Sequence, residues 1–122
     1  MLSLVAAQPP AIPAAPASTL ETSYIKIAWT EPFNNYAAID AYRITIVDSN
    51  GDYIEDTSTC DGSDPIVRAN RYCLVPMTAL WAAPFSLPQG TVVTAKINAR
   101  NERGWSLTSP AGGTAPVEVI PH

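Results

Sequence analysis

The chain has 122 residues, 47% of them hydrophobic, and a formal charge of −4. That length suffices for one domain with its own core, and the ordinary apolar content excludes intrinsic disorder. No apolar run approaches the roughly 18 residues of a membrane-spanning helix, and the acidic balance gives no basic footprint for nucleic acid.

Met1 to Ala7 is apolar but lacks a basic leading region and is short for a signal peptide. It reads as the start of a piece of a longer polypeptide, with Leu2, Leu4 and Val5 as candidate assembly contacts. Residues 8–18 are rich in Pro and Ala. Proline removes a ladder donor, so this stretch is either an extended linker or a broken edge strand. The expected division is a linker or assembly segment over 1–18, shading into the first strand, and a folded body over 19–122.

Tyr24 to Thr30 alternates with Ile25, Ile27 and Trp29 on one face, and Glu31-Pro32 ends it. Asn34-Asn35 marks a loop, and Ile39 to Val47 forms the next strand with Tyr42, Ile44 and Ile46 inward. Asn50-Gly51 between two β-prone runs is a hairpin signal, with Asp52 to Thr57 returning. A loop over Asp61 to Pro65 precedes Ile66-Val67 and a strand from Arg71 to Met77. Thr78 to Ser86 reads as an irregular turn carrying Trp81 and Phe85 toward the core edge. Leu87-Pro88-Gln89-Gly90 then turns the chain into the longest alternating run, Thr91 to Ser106. There Val93, Ala95, Ile97 and Ala99 alternate with polar residues until Asn101-Glu102-Arg103-Gly104 stops the strand. Pro110 to Thr114 is a break, and Pro116 to Ile120 supplies a last strand with Val117 and Val119 inward. About seven strands and no helical period predict an all-β, two-sheet antiparallel β-sandwich.

Leu87, Gly90, Ala99, Asn101 and Gly104, followed by Ser106, stand where a fibronectin type III domain has its late leucine, turn and Ala-x-Asn-x-x-Gly pattern. A tryptophan closing the second strand, Trp29, and a proline soon after it, Pro32, add to that resemblance. Val93 departs from it, because the family carries a tyrosine near the start of this strand whose corner hydrogen bond must here be replaced. Cys60-Asp-Gly-Ser-Asp64, then Cys73-x-x-Pro76, Leu80, Pro84 and Leu87 are similar to fibronectin type III-like repeats in very large surface proteins of ciliates and related protists. Together the resemblances cover about residues 9–119. They imply a secreted or surface module, usually in tandem, with Cys60 and Cys73 bridged and the bridge bracing the edge weakened at Val93. Two buried free thiols in a cytosolic protein are the alternative.

Candidate chemistry is sparse. The one histidine is His122, so a Ser-His or Cys-His pair has no base, and no Gly-rich phosphate loop exists. No enzyme activity and no cofactor are expected. Two cysteines and one terminal histidine fall short of a zinc set, and Asp61 with Asp64 lacks the spacing of a calcium loop, so no metal is expected. Asp48, Asp52, Glu55, Asp56, Asp61 and Asp64 contrast with the later Arg68, Arg71, Lys96, Arg100 and Arg103. The groups either keep the surface solvated or form opposite-sign patches that favour head-to-tail contact. The loop Arg103-Gly104-Trp105 replaces the Arg-Gly-Asp of integrin-binding members, so that activity does not carry over. Trp105 either caps the sandwich or stands as a contact, alongside Trp81, Tyr36 and Arg103. No Asn-x-Ser/Thr acceptor occurs.

The leading expectation is an extracellular structural or adhesive module, a link in a surface coat, tandem array or filament, whose partners are other copies or neighbouring modules. A glycan- or protein-binding accessory module is the alternative.

Overall fold

The computed structural model describes residues 8–116, except 22, 36, 83, 84 and 89. Seven strands form two antiparallel sheets. In chain order they are β1 (Ala17–Glu21), β2 (Tyr24–Ala28), β3 (Ala41–Val47), β4 (Tyr53–Glu55), β5 (Tyr72–Pro76), β6 (Ala95–Asn101) and β7 (Gly104–Trp105). One sheet runs β1-β2-β5 and the other β4-β3-β6-β7.

The inner faces carry the alternation legible in the sequence. Ile25, Ile27, Trp29, Tyr42, Ile44, Ile46, Val93, Ala95, Ile97 and Ala99 are all buried in one cluster, with Val75, Met77, Leu80, Phe85 and Leu87. β-Branched side chains dominate because they pack on a pleated surface with little rotamer freedom to lose. Trp29 and Tyr42 meet with ring centroids 5.3 Å apart. Burial there, aided by the negative charge of Glu31, pushes the Tyr42 phenol up to about 12.

The β3–β4 hairpin turns at Asn50-Gly51, with Gly51 at φ 87°. Asp48 makes the turn work: one carboxylate oxygen accepts from the amides of Asn50 (2.8 Å) and Asp52 (2.9 Å). This residue of the acidic stretch is therefore a buried turn cap rather than part of a surface patch.

The two-sheet antiparallel sandwich is as expected, and among the described residues two short helices stand where loop and irregular turn were expected. Residues 65–70, expected as loop and extended chain, form α1 (Pro65–Asn70). Asp64 caps its first turn by accepting from Ile66 N–H, Pro65 occupies a position needing no donor, and Arg71 closes it in the left-handed region. The expected irregular turn after β5 begins instead with α2 (Met77–Trp81), whose Met77 and Leu80 enter the core. One turn of helix is too short to show a 3.6-residue period.

The long run after Gly90 also differs from expectation, because the ladder of β6 begins at Ala95 rather than Thr91. Val92 and Val93 turn to the C-terminal segment. Val92 bridges to Pro116, Val93 N–H donates to Ala115 O at 2.8 Å, and Ala95 and Gly112 exchange two backbone bonds. The Gly/Pro break at 110–114 thus forms no strand but bridges to the lead-in of β6 at Gly112, while Val117 and Val119 lie outside the described residues.

Candidate functional site

Two opposite long edges of the sandwich are held by different means. At the first, β1 meets the 112–116 segment and the lead-in to β6. Ser18, buried in β1, donates through its hydroxyl to Val93 O (2.8 Å) and accepts from Ala115 N–H (3.0 Å). This hydroxyl takes over the corner that the resemblance leaves empty at Val93. A side chain on Gly112 would come within 2.1 Å of Pro16 O, and one on Gly113 within 2.3 Å of Val93 O. Only glycine allows so close a backbone approach.

At the second edge, Cys60 in the loop after β4 is bonded to Cys73 of β5, tying the loop that crosses between the sheets to the edge strand. The bridge was expected to brace the edge at Val93, but it lies across the body from it. Cys73 pairs with Ile27 on one side of β2, whereas Ser18, the neighbour of Val93, pairs with Ile27 on the other. The loop that carries Cys60 runs back along β3, where Tyr42 N–H donates to Gly62 O at 3.0 Å.

The proline-rich stretch lies against one end of the body. Pro10, Pro13 and Pro16 are buried at a spacing of three, the repeat of a polyproline II helix. Gln8 N–H donates to Asn35 O and Ala11 N–H to Phe33 O. Buried Asn101 reaches both chain segments: its amide donates to Gln8 O (2.6 Å) and Asn34 O (2.9 Å), while its oxygen accepts from Arg103 N–H. The sequence marks Asn101 as a strand-ending residue and as part of the Ala-x-Asn-x-x-Gly resemblance. Its role in joining three segments left no mark in the local pattern.

The outward face of the four-stranded sheet carries most of the exposed chemistry. Arg100 lies 5.6 Å from the ring centre of Trp105, and its Nε donates to Asp40 at 2.8 Å. Arg43 stands 3.7 Å from Glu55, and the Lys96 ammonium lies 4.3 Å from the Tyr53 ring centre. Exposed pairs of this kind contribute at most about 1 kcal/mol each. A groove of about 190 Å³ runs here between Arg43, Glu55, Asp61, Ser63, Arg100 and Trp105. Opposite-sign patches do not form among these groups: Glu55, Thr45 and Lys96 share one cross-strand row, so acid and base interleave. Asp40, Arg43 and Tyr53 were not singled out from sequence, since their meeting depends on register.

The remaining carboxylates serve their own loop. Asp56 accepts from the hydroxyls of Ser58 and Thr59, each at 2.7 Å. Burial alone would raise this carboxyl, but the bonds from Thr59 and Ser58 outweigh it and hold it low. Asp61 accepts from the Ser63 hydroxyl and amide, which lower it likewise. Among the described residues, no group of three His, Cys, Asp or Glu residues is placed to hold a metal ion.

Of the other residues singled out from sequence, Trp105 is 44% exposed and Arg103 is exposed. Trp81 instead packs against the core, so it offers no open platform. Leu2, Leu4, Val5, Tyr36 and His122 lie outside the described residues. No helix is long and apolar enough to cross a membrane among the described residues.

No family model and no curated protein matches the chain. Solved structures do. Titin kinase with its flanking domains is similar over 87% of this chain (TM-score 0.61, 16% identity), and the chain spans 17% of that one. The twitchin kinase region from C. elegans matches over 93% (TM-score 0.59, 19% identity), with 17% of its own length spanned. The FN1–FN3 domains of chicken CNTN1 match over 90% (TM-score 0.60, 14% identity), with 33% spanned. At such identities the likeness shows the fold alone, and that fold is the antiparallel β-sandwich of the fibronectin type III and immunoglobulin-like kind.

Proposed function

We propose that this chain is an extracellular structural module, a link in a surface coat, tandem array or filament, with its N-terminal segment contacting a neighbouring copy. The disulfide between Cys60 and Cys73 is the observation that carries this reading, since such bonds persist in oxidising compartments. The similarity of the cysteine-bearing motifs to protist surface repeats supports the same setting, and the occurrence of the fold within much longer chains supports a tandem arrangement. Function in this reading is mechanical. The crossing loop is bonded covalently to the sheet at one edge, and a buried hydroxyl with close glycine contacts holds the other, which makes a stiff bead. The docked prolines, pre-set in an extended helix, fix the direction in which the chain enters. No catalytic chemistry is assigned to the chain.

Deletion of residues 1–8 tests the reading. The shortened protein should keep its sandwich and its disulfide yet lose ordered assembly under electron microscopy. Unchanged fibres would overturn it.

Exposed Trp105 favours a second reading, a binding module for glycans or a protein partner. Its ring beside Arg100 and the neighbouring groove supply a stacking surface with hydrogen-bonding groups at hand. Glycan-array binding by the intact chain, lost on Trp105→Ala, would favour that function. Binding by neither chain would remove it.

A further inference from the structure

The edge of the three-stranded sheet at β5 is built to accept another strand. Trp29 N–H donates to Arg71 O and Met77 N–H to Ser23 O, which fixes the phase of the β2–β5 ladder. In an antiparallel pair the bonded positions alternate, so Cys73 and Val75 bond to β2 while Tyr72, Leu74 and Pro76 turn their backbone groups outward. Pro76 has no N–H to offer and marks the end of the usable edge. The side chains beside it are largely apolar: Leu74 is 41% exposed and Tyr24, opposite Pro76, is 42% exposed, while Lys26, opposite Leu74, rests its ammonium 4.4 Å from the Tyr72 ring centre. An exposed strand with free amides and apolar neighbours is an invitation to pairing.

The other edges are less suited. The Ser18 hydroxyl ties the start of β1 to Val93 and Ala115, which leaves little room beside it, β4 has three residues, and β7 has two.

We infer that the β5 edge, at Tyr72 and Leu74, receives an extended strand from a second copy of this chain, formed by Leu2-Ser-Leu-Val-Ala6. This rests on the assembly role proposed above for the N-terminal segment and names the surface that receives it. Leu2 and Leu4 alternate with Ser3 and Val5, the pattern of a strand that lays one apolar face beside Leu74. Geometry favours a second copy over the chain's own. The anchor at Gln8 is bonded to Asn101 at the end of β6, and a Cβ on Gly104 of β7 would sit 3.8 Å from Pro9. That places the anchor by β7, whereas β5 lies at the disulfide edge, on the other side of the sandwich. Donor and acceptor on opposite sides of one module make a head-to-tail contact that one copy can pass to the next.

Amide exchange on the full chain at rising concentration tests it, beside Leu74→Pro and a Leu2→Asp/Leu4→Asp variant. The proline removes an outward amide and no bond to β2, as Pro76 already does two residues on. In the wild type, exchange at Tyr72 and Leu74 should slow about tenfold or more as copies associate. It should stay fast in the double aspartate variant, and Leu74→Pro should sediment as a monomer. Exchange independent of concentration in the wild type, whether fast or slow, would overturn the contact. If assembly is lost in the aspartate variant but kept in folded Leu74→Pro, the receiving edge is wrong while the N-terminal assembly role stands. Should Leu74→Pro fail to fold, the comparison of wild type with the aspartate variant decides alone.

Discussion

The two long edges of this sandwich solve one problem in opposite ways. At the β1 edge, closure is non-covalent and close-fitting: a buried serine hydroxyl bonds two strands at once, and paired glycines let backbones meet where no side chain fits. At the β5 edge, one disulfide ties the crossing loop to the strand and leaves its outer backbone groups unpaired. A buried hydroxyl and two glycines pack the 112–116 segment against the start of β1 as a seam, while the disulfide is a staple that ties a loop to β5 and leaves the outer backbone of that strand open. The contrast says which side of the module is finished and which is available to a partner.

The largest expected effect falls on the seam. Gly113→Ala would drive a Cβ within 2.3 Å of Val93 O at a φ of 136°, and should cost about 4 kcal/mol from overpacking and backbone strain together, read from urea unfolding. Removing the staple as Cys60→Ala/Cys73→Ala should cost about 3 kcal/mol by releasing the unfolded chain, with the seam amides still protected. Losing that protection along with the bridge would mean the edges are not independent. Ser18→Ala should cost about 2 kcal/mol, because it leaves Ala115 N–H buried without its acceptor. Asp56 is the smallest. Its carboxyl is held low in the folded state, so its stabilising share is present above the ordinary value of 3.8 and is lost as pH falls below it. Partial exposure limits the effect to under about 1 kcal/mol. Asp56→Asn should flatten that acid limb and leave stability at pH 7 within the same margin, measured by thermal melts across pH.

Sandwich and core were legible because they depend on alternation, a local property. Ile25, Ile27, Tyr42, Ile44 and Ile97 point inward for a reason visible in five or six residues of chain. The seam was not legible. Ser18 is one polar residue at the end of a proline-rich stretch, and its partners lie 75 and 97 residues away. Gly112 and Gly113 looked like a break because sequence shows that glycine permits a turn but not that another backbone will press against it. The charge cluster keeps most of its members at the surface, but their individual partners were hidden in the same manner. Asp48 and Asp64 were counted as surface charge, yet each caps local amides, and Glu55 found Arg43 only through strand register. The helix at Pro65 had its signals in view, an Asp cap and a proline at the first position, but six residues carry no period to confirm them.

Residue-resolved amide exchange in dilute protein is the most direct test of this asymmetry. The amides of Val93, Ala95, Gly112 and Ala115, each donating across the seam, should exchange slowly, while those of Tyr72 and Leu74 exchange within the range of exposed chain. Fast exchange across the seam, or slow exchange at Tyr72 and Leu74 without a partner present, would contradict a module closed on one side and open on the other.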